Sequence, residues 1–515
     1  MADETLETVA VRTAGTPAPI VLRWEWRSFA HKFGEADERL AKLTPSATTD
    51  SDEVYFLSAH GQNVKIRDAL MDVKVLREVN RDGLQQWAPV MKSEFPLSAI
   101  DAVKVIDALD VPVKAGLRES YGMQAFIDAF NRADSGVRVV EVHKRRVRYT
   151  VEDCMAELSE ITANGRSTRT VAVESVDPEA VMRAVNSLGL TGYINTSYLK
   201  GLSDLIEGIP ERYAVIDVGT NSIKFHVGEL RGDGTWTAIA DRAELTRLGE
   251  GLAKTRRISD TALDRTASAI AGMAAEAKRE GVRAIAVVGT AGLRTASNAA
   301  EVVSAIRERT GVGVEVISGD EEARLAYLAT IAALGPAAGK TVVFDTGGGS
   351  SQFTFGTGKH VHERFSVDVG AARYSEQFGL DRAVSLDTVH QAMEAISGGL
   401  ARLDGREPPA TLIGMGGGVT NITAVAKGLA KYDPAVVQGA VIDAQEVDRQ
   451  VELYRSRDAE GRRTIVGLQP KRAEVILAGA CIVRTLMQKL GKDRLTVSDR
   501  GLRHGLLAER FGDQA

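Results

Sequence analysis

The chain has 515 residues, of which 44% are hydrophobic and 26% are charged, with a net charge of −5 at pH 7 and a pI of about 6.0. This is the composition of a globular protein and not of a disordered one, and the length predicts about three or four domains. The mildly acidic balance argues against a nucleic-acid-binding protein, which usually carries a strongly basic domain. A mildly acidic net charge is still compatible with a local basic channel that binds a polyanion.

The cysteine content and the hydropathy indicate a reducing, aqueous compartment. The two cysteines, Cys154 and Cys481, are too few and too far apart for a disulfide framework or a zinc site. No run of about 18 apolar residues occurs, and the acidic residues 1–7 lack the apolar segment of a signal peptide. We therefore expect a cytoplasmic protein without a membrane span.

Residues 1–19 are polar and rich in Ala, Thr and Pro, which is typical of a loose tail. The region 20–206 predicts a domain made mainly of antiparallel strands, since several segments alternate as strands with one wet face do. The predicted strands are 20–29, 63–70, 137–151, 155–162 and 169–176, and the predicted helices are 96–109 and 178–189.

After a link at 207–213, buried-type strands alternate with amphipathic helices, which predicts an α/β sheet covered on both faces. The predicted strands are 213–219, 223–230, 283–290, 312–318, 341–347, 351–356 and 411–417. The predicted helices are 260–280, 298–310, 320–334, 372–378, 386–403, 419–430, 444–456 and 471–490. One pattern occurs at both 213–230 and 341–356: a strand, an Asp, a glycine-containing loop and a second strand. A duplicated, two-lobed phosphate-binding fold would produce this echo.

The loops 217–224 (DVGTNSIK) and 345–353 (DTGGGSSQF) each begin with an Asp at the end of an apolar strand. Glycine lets successive backbone N–H groups form a concave site for phosphate oxygens. Neutral side-chain donors in the loops are Thr220, Asn221, Ser222, Ser350 and Ser351. An Asp beside such a site would repel phosphate unless a divalent cation lay between them, so Asp217 and Asp345 are predicted Mg²⁺-site residues. The alternative, two ordinary hairpin turns, accounts less well for equivalent loops in two lobes.

Three further segments carry polar residues that suit phosphate chemistry. In 318–328 (SGDEEARLAYL), Ser318 and Asp320 can cap a helix, while the adjacent Glu pair offers a general base for a water molecule. Arg294 can hold phosphate oxygens with its guanidinium fork, or form a surface ion pair. The glycine run in 414–422 (GMGGGVTNI) is a weaker indication of a phosphate or nucleoside contact.

Together these segments resemble the exopolyphosphatase / guanosine pentaphosphate phosphohydrolase (Ppx/GppA) family over about residues 212–512. The resemblance rests on the segments 217–222, the Arg294 segment, 318–323, 345–350, 366–378, 414–422, 467–479 and 497–507. The resemblance implies the two-lobed α/β fold of actin, sugar kinases and the 70-kDa heat-shock proteins (ASKHA). It also implies release of a terminal phosphate with Mg²⁺ in a cleft between lobe I (212–335) and lobe II (336–515). The C-terminal helix is expected to return to lobe I.

Matched position by position, the resemblance implies that Glu322 is the general base, Arg294 binds phosphate and Asp345 is the cleft aspartate. The implied phosphate loops comprise Asp217 with Thr220, Asn221 and Ser222, and Gly347, Gly348, Gly349, Ser350 and Ser351. The implied metal set is Asp217, Asp345 and Glu322, and other implied cleft residues are Gln352, Gly416 and Gly417.

The chain departs from the family pattern at two positions. Gln352 stands where the family usually has Glu, which removes one negative charge from the expected site, and Glu474 stands where Asp is common. Members with a C-terminal HD-type domain continue well beyond the position of Ala515, so we expect this chain to resemble the short form.

Residues 20–206 resemble the CYTH (triphosphate tunnel) superfamily, an α+β antiparallel barrel. The carrying residues are 24–27 (WEWR), 64–67 (VKIR), 72–75 (DVKV), 144–148 (KRRVR), Glu157, Glu160 and 194–200 (INTSYLK). The implied tunnel residues are Glu25, Arg27, Lys65, Arg67, Lys74, Arg146 and Arg148. Arg23 and Arg27 break the usual Glu-x-Glu-x-Lys opening. We therefore expect a degenerate tunnel that binds a polyphosphate or nucleotide without cleaving it, with a solvated basic face as the alternative.

The resemblance implies hydrolysis of the terminal phosphoanhydride of inorganic polyphosphate, of the 5′-phosphate of guanosine pentaphosphate, or of both, by a homodimer. Two alternatives remain open at this stage. One is a kinase-like enzyme on the same fold, and the other is a non-catalytic sensor that binds polyphosphate or a nucleotide.

Overall fold

The computed structural model describes residues 21–112, 118–132, 135–335 and 339–512. The predicted tail at 1–19, and residues 336–338 and 513–515 of the predicted lobe II, lie outside these ranges. The chain divides into two compact units, Met1–Glu211 and Arg212–Ala515. Within the described ranges, no helix combines the length and the hydropathy that crossing a bilayer requires.

The first unit is a closed barrel of eight antiparallel strands with helices around it. The strands of the unit are β1 (Arg23–Ala30), β2 (Ala47–Leu57), β3 (Asn63–Arg67), β4 (Leu70–Val79), β5 (Gln85–Glu94), β6 (Leu97–Ser98), β7 (Ser120–Tyr121), β8 (Arg138–Val151), β9 (Cys154–Ala163) and β10 (Arg166–Ser175). The barrel order is β1-β10-β9-β8-β2-β3-β4-β5, closed by pairing of β1 with β5. The helices are α1 (Glu35–Ala41), α2 (Ala99–Leu109), α3 (Met123–Phe130), α4 (Pro178–Ser187) and α5 (Tyr198–Glu207). The predicted antiparallel barrel is confirmed.

One end of the barrel interior is apolar. Tyr198 and Leu202 of α5 pack there against inward-facing residues of four strands, among them Phe29 and Tyr55. The Tyr198 ring stacks on Tyr55 at a centroid distance of 5.0 Å. Helix α5 therefore closes this end of the barrel, and the charged interior lies above it.

Lobe I of the second unit contains β11 (Glu211–Val218), β12 (Ser222–Leu230), β13 (Trp236–Leu245), β14 (Ala284–Gly289) and β15 (Glu315–Val316), in the order β13-β12-β11-β14-β15. Its helices are α6 (Leu252–Thr255), α7 (Asp260–Arg279), α8 (Ala291–Thr295), α9 (Ala299–Thr310) and α10 (Gly319–Leu334).

Lobe II contains β16 (Thr341–Thr346), β17 (Ser351–Thr357), β18 (His360–Val367), β19 (Thr411–Met415), β20 (Val441–Asp443) and β21 (Arg494–Val497), in the order β18-β17-β16-β19-β21-β20. Its helices are α11 (Ala371–Phe378), α12 (Leu386–Gly399), α13 (Gly417–Ala426), α14 (Pro434–Val437), α15 (Ala444–Arg455), α16 (Ala459–Arg463), α17 (Ile476–Lys489) and α18 (Leu502–Phe511), with 3₁₀ turns at Ala401–Leu403 and Pro470–Arg472.

The two sheets repeat one design. Strands β11 and β16 each pair with an antiparallel neighbour on one side and a parallel neighbour on the other. The second strand of each sheet even has its irregularity in a matching place, at Val227/Gly228 and at Phe355/Gly356. The predicted two-lobed fold is confirmed, and the loops after β11 and β16 occupy equivalent positions.

Helix α18 follows β21 of lobe II but packs against α10 and β12 of lobe I. Gly505 makes this possible, since a Cβ there would lie 2.2 Å from the Leu325 carbonyl oxygen. The Phe511 ring stacks on Tyr213 of β11 at 4.6 Å. The helix thus links the two lobes.

Several predicted boundaries were wrong. The segment 63–70 is two strands, because Asp68 and Ala69 have positive φ and form the tight turn between β3 and β4. Only two residues of the predicted strand 312–318 pair with a neighbouring strand, and these two residues form β15. The predicted helix 471–490 is a 3₁₀ turn followed by α17.

Candidate active site

The loops after β11 and β16 face each other and enclose the central compartment of the cleft. The predicted residues that line it are Asp217, Thr220, Asn221, Ser222, Glu322, Asp345, Gly347, Gly348, Gly349, Ser350, Gln352, Gly416 and Gly417. Lys224, Thr290 and Arg472 also line it. Residues more than 200 positions apart in sequence are brought together here because both loops leave the same end of their sheets.

The two phosphate loops have the same turn and touch each other. The Gly219 N–H donates to the Ser222 carbonyl at 3.2 Å, and the Gly347 N–H donates to the Ser350 carbonyl at 2.9 Å. A Cβ on Gly348 would lie 2.8 Å from the Asn221 Cβ. Glycine is therefore required for the close approach of the loops.

Glu322 lies in the first turn of α10, which Ser318 caps by accepting a hydrogen bond from the Glu321 N–H. Its side chain is buried and accepts a 2.8 Å hydrogen bond from Arg294 Nη1. Burial raises the pKa of Glu322 to about 7; the Arg294 guanidinium opposes this rise, and the charges of Asp217 and Asp345 add to it. A carboxyl group with this pKa suits a general base at neutral pH.

Arg294 and Glu321 are held by protein partners. Arg294 Nη1 also donates to the Ile317 carbonyl at 3.1 Å, so that one nitrogen of its fork is already used. Glu321 accepts two hydrogen bonds from Arg324, at 2.9 and 2.6 Å, and does not line the compartment. Of the adjacent Glu pair, Glu322 alone is therefore available to a water molecule in the cleft.

Asp217 and Asp345 supply buried oxygen donors at the edge of the compartment. Asp217 accepts a hydrogen bond from Lys224 Nζ at 3.1 Å, whereas Asp345 forms no ion pair with another described residue. Burial raises the pKa of Asp345, as does the charge of Asp217, although Lys224 offsets part of this. Gly416, with φ of 91°, leaves Asp345 room, since a Cβ there would lie 2.4 Å from its Oδ1. This donor set fits Mg²⁺, which prefers carboxylate oxygens together with phosphate oxygens.

Ser351 does not lie where the sequence analysis placed it. It is fully buried, and its Oγ donates to the Val369 carbonyl at 2.6 Å, because strand alternation turns it away from the cleft. Gln352, opposite Asp345 in the β16–β17 register, donates from Nε2 to Ser350 Oγ at 2.7 Å. The amide therefore orients Ser350.

The sequence analysis missed Arg472 and Lys224 as cleft residues. The Arg472 side chain runs over Gly417, where a Cβ would lie 2.4 Å from its Nη2. Its guanidinium forms no ion pair or hydrogen bond with another described residue, and burial lowers its pKa despite the nearby Asp345. A half-buried cation without a carboxylate partner at a candidate phosphate site is suited to bind an anion. Both residues stood within motifs that were singled out, 217–224 and 467–479, but neither pattern marks them.

A cluster of His226, Asp241 and His504 has the donor types of a metal site. The two imidazoles lie 3.4 and 3.5 Å from Asp241 Oδ2. However, the Gly501 N–H donates to His504 Nδ1 at 3.2 Å, so that the proton is on Nε2 and points at Asp241. Arg503 also binds both oxygens of Asp241, at 2.8 and 3.1 Å. Arg503 of α18 is therefore clamped to Asp241 of β13, and the protonated Nε2 of His504 leaves that imidazole no lone pair for a metal ion.

The barrel of the first unit has a charged interior in which cations and carboxylates alternate. Lys65 Nζ lies 2.9 Å from Glu53, and Lys144 Nζ lies 2.9 Å from Glu157. Arg146 bridges both acids, at 3.2 Å from Glu53 and 3.1 Å from Glu157. Burial would raise the pKa of Glu53, but Lys65 and Lys144 hold it at about 2.

Of the other predicted tunnel residues, Arg27 is buried and binds Glu25 at 2.8 Å. Lys74 lies close enough to affect the pKa of Glu25. Arg67 and Arg148 are partly exposed and make only distant ion pairs, at 3.7 Å to Asp72 and 4.0 Å to Glu157.

Two residues of the tunnel pattern lie elsewhere. Arg23 and Glu160 are exposed, the latter because strand alternation puts it on the outer face of β9. Sequence reasoning missed Glu53 and Glu174 as inward residues, and it did not single out Lys144 within the segment 144–148. Glu174 lies opposite Glu25 in the β1–β10 register, and burial with the Glu25 charge raises its pKa to about 7.

The comparisons with known proteins agree with the fold of the second unit. Residues 230–513 match the model of the Ppx/GppA phosphatase family. Exopolyphosphatase 2 of Mycobacterium tuberculosis is 28% identical over 58% of this chain and 99% of its own length. Guanosine-5′-triphosphate,3′-diphosphate pyrophosphatase of Photobacterium profundum is 27% identical over 58% of this chain and 59% of that protein. The chain spans about half (46%) of a bifunctional 3-dehydroquinate synthase/phosphatase of Fusobacterium nucleatum, at 25% identity over 58% of this chain.

A solved structure supports the same assignment. The crystal structure of the Aquifex aeolicus Ppx/GppA family member is 30% identical, with a TM-score of 0.51, over 58% of this chain and 96% of that one. With the family pattern covering more than half of the chain, and with the loops, Glu322 and the two cleft aspartates in one compartment, the chain belongs to the Ppx/GppA phosphatase family.

Proposed function

We propose that the second unit hydrolyses the terminal phosphoanhydride of inorganic polyphosphate or removes the 5′-terminal phosphate of guanosine pentaphosphate, with Mg²⁺. The observation that carries the proposal is the position of Glu322, in one compartment with both phosphate loops and both cleft aspartates. The printed activities of two relatives, an exopolyphosphatase and a guanosine pyrophosphatase, support it.

Each part of the compartment has a role in phosphoryl transfer. The backbone N–H groups of the two loops hold the terminal phosphoryl group. Glu322, oriented by Arg294, removes a proton from the water that attacks this group in line. Asp217 and Asp345 would hold Mg²⁺, whose charge would offset that of the phosphoryl oxygens. Arg472 and Lys224 place positive charge beside the departing phosphate.

The experiment that tests this is phosphate release by the purified full-length protein with Mg²⁺, with long-chain polyphosphate and guanosine pentaphosphate offered in parallel. We expect release from at least one substrate and its loss when the metal is chelated by EDTA. No release from both substrates at saturating Mg²⁺ would overturn the proposal.

A second candidate function is a catalytically weak sensor. Gln352 replaces a carboxylate that the family pattern places beside Asp345, and its amide is used to hold Ser350. Binding of polyphosphate or nucleotide without turnover would favour this function.

For the first unit we propose binding of polyphosphate without cleavage. Lys65, Lys144 and Arg146 line the barrel interior and outnumber their partner carboxylates, Glu53 and Glu157, which are both ion-paired and therefore poorly placed to hold a metal. In the full-length protein, a Lys144→Gln/Arg146→Gln variant should bind polyphosphate more weakly than the wild type at moderate salt. Unchanged binding would remove the barrel from this role.

We further propose that the protein acts as a homodimer in the cytoplasm. The family resemblance supports the dimer, and the two buried free cysteines suit a reducing compartment. Sedimentation analysis and cell fractionation would test these two points.

A further inference from the structure

A cavity behind the two phosphate loops, the rear compartment, has no part in the reaction proposed above. It is lined by residues of both lobes, among them Gly249, Arg256, Asp368, Arg373 and Glu376. The residues that it shares with the central compartment are Thr220, Ala291, Gly348 and Gly349. None of Asp217, Glu322 and Asp345 lines it. The rear compartment therefore adjoins the place where the terminal phosphoryl group is held but lies outside the proposed catalytic set.

The partition between the central and rear compartments is made of small residues. Those that line both compartments are one threonine, one alanine and two glycines. Thr220 has the largest side chain of the four and lies among glycines: a Cβ on Gly249 would lie 2.3 Å from its Cγ2, and a Cβ on Gly349 would lie 2.7 Å from its Oγ1. Its hydroxyl forms no hydrogen bond with another described residue. Movement of this one side chain therefore opens the partition without breaking a hydrogen bond of that hydroxyl.

Two arginines give the rear compartment available positive charge. The side chains of Arg256 and Arg373 form no ion pair or hydrogen bond with another described residue. An unpaired guanidinium group suits phosphate oxygens, which it binds through its fork of N–H donors. The same wall carries Asp368 and Glu376, and Glu376 lies 3.9 Å from Lys254 Nζ. Because cations and acids alternate on this wall, it suits weak binding of a small anion and repels a chain that is charged at every phosphate.

The rest of the substrate has a different place. A front compartment shares Lys224, Asp345 and Arg472 with the central compartment and is also lined by Arg500. The side chains of Arg472 and Arg500 form no ion pair or hydrogen bond with another described residue, so that this side offers available cations to a polyanion. After cleavage the shortened polyanion occupies the front compartment while the phosphate loops hold orthophosphate. The larger product then lies across the front, and the rear compartment is the way out that it leaves open.

We propose that orthophosphate leaves through the rear compartment, where Arg256 and Arg373 bind it on its way to solvent. The inference rests on the proposed hydrolysis and extends it by assigning a separate anion site to the smaller product. The rear and front compartments have no lining residue in common, so that orthophosphate and the larger anion can be bound at the same time. Thr220 then belongs to a phosphate loop and also separates the central compartment from the exit.

The first test is inhibition of the full-length protein by orthophosphate, with saturating Mg²⁺ and a substrate labelled in its terminal phosphate. Orthophosphate in a site apart from the substrate lowers the apparent kcat, whereas orthophosphate that returns through the front raises only the apparent KM. We expect the effect on kcat in the wild type, with an inhibition constant at least about tenfold higher in Arg256→Gln/Arg373→Gln. Arg307→Gln, at an exposed position of α9 without an ion pair or hydrogen bond to another described residue, is the matched control and should keep the wild-type constant. Purely competitive inhibition, or an unchanged constant in the double variant, would overturn the proposal.

Binding of radiolabelled orthophosphate to the Glu322→Gln variant, measured by equilibrium dialysis with saturating tripolyphosphate, separates this inference from the proposed hydrolysis. We expect bound orthophosphate that disappears when Arg256→Gln/Arg373→Gln is added to this variant. If the wild type hydrolyses neither substrate but this binding is found and is lost in the added variant, the rear site stands and the hydrolysis does not. If tripolyphosphate displaces the orthophosphate, or the added substitutions leave the binding unchanged, the rear site is overturned. Thermal unfolding of each variant shows whether it is folded.

Discussion

Arg294 Nη1 and Glu322 Oε2 are joined by a hydrogen bond of 2.8 Å, so that the arginine orients the carboxylate that faces the cleft. This pairing predicts that Glu322→Gln can still be held by Arg294 but cannot accept a proton. We expect turnover to fall at least about 10²-fold with substrate affinity kept, as measured by phosphate release and calorimetry. Asp320→Asn, on the exposed side of the same helical turn, is the control. Unchanged turnover in Glu322→Gln would remove the residue from the role of base.

The rate should also depend on pH through this carboxyl group. Burial raises the pKa of Glu322 to about 7, and the ionised form is the active base. We therefore expect kcat/KM to rise with pH through about 7 and then to level off, and the residual rate of Glu322→Gln should lack this inflection. A wild-type rate that rises toward acidic pH would contradict the assignment.

Gly348→Ala should separate the two phosphate loops, since its Cβ would lie 2.8 Å from the Asn221 Cβ. We expect kcat/KM to fall at least about tenfold, because displacement of positioned groups by a fraction of an ångström is costly in phosphoryl transfer. Gly272→Ala, on the exposed face of α7 with no neighbour within 4 Å, is the matched control. It should keep the activity and stabilise the helix by about 0.5–1 kcal/mol.

Gln352→Glu should restore a carboxylate next to Asp345. The hydroxyls of Ser350 and Ser366, which now accept hydrogen bonds from the amide, can rotate to donate to a carboxylate. We expect the Mg²⁺ concentration for half-maximal activity to decrease, because hard carboxylate ligands strengthen the site. A higher Mg²⁺ requirement would mean that the amide is needed to orient Ser350.

In the barrel, Glu53→Gln should remove the part of the free energy of unfolding that depends on the ionisation of Glu53. The folded-state pKa of Glu53 is about 2 against 4.5 for the free group, because Lys65 and Lys144 outweigh the effect of burial. The lowered pKa adds about 3 kcal/mol to the free energy of unfolding. This contribution is complete above pH 4.5 and is lost as the pH falls toward 2. Urea unfolding followed by tryptophan fluorescence would show it, since Trp24, Trp26 and Trp87 lie in this unit. Exposed Glu160→Gln should change the free energy of unfolding by less than about 0.5 kcal/mol, and equal effects of the two substitutions would contradict the prediction.

The sequence predicted the two sheets and the loops that follow β11 and β16, because buried strands that end in Asp-x-Gly leave a local signal. The family resemblance singled out Glu322 from the adjacent Glu pair, which the segment 318–328 placed near the start of a helix. Arg472 could not be found in this way, since its place in the cleft depends on a 3₁₀ turn that brings a lobe II side chain over Gly417. Ser351 was placed wrongly because strand β17 begins at this residue, so that its side chain alternates away from the cleft.

The barrel interior also contains a residue whose position could not be predicted from the local sequence. Strand β2 begins with the polar run 47–53 and carries no apolar alternation there, so that Glu53 was missed although it is the most buried acid of the interior. A closed barrel can bury a polar residue beside inward cations from neighbouring strands, and only the pairing of β2 with β3 and β8 reveals these partners.

The position of α18 has a consequence for how the protein is made. The helix completes lobe I, yet the whole of lobe II is translated before it. On the ribosome, α10 with Glu322 must therefore wait with its α18-facing surface uncovered while nearly 170 further residues are synthesised, between Leu334 and Leu502. Helix α10, which carries Glu322, therefore reaches its final packing only after both lobes have been synthesised.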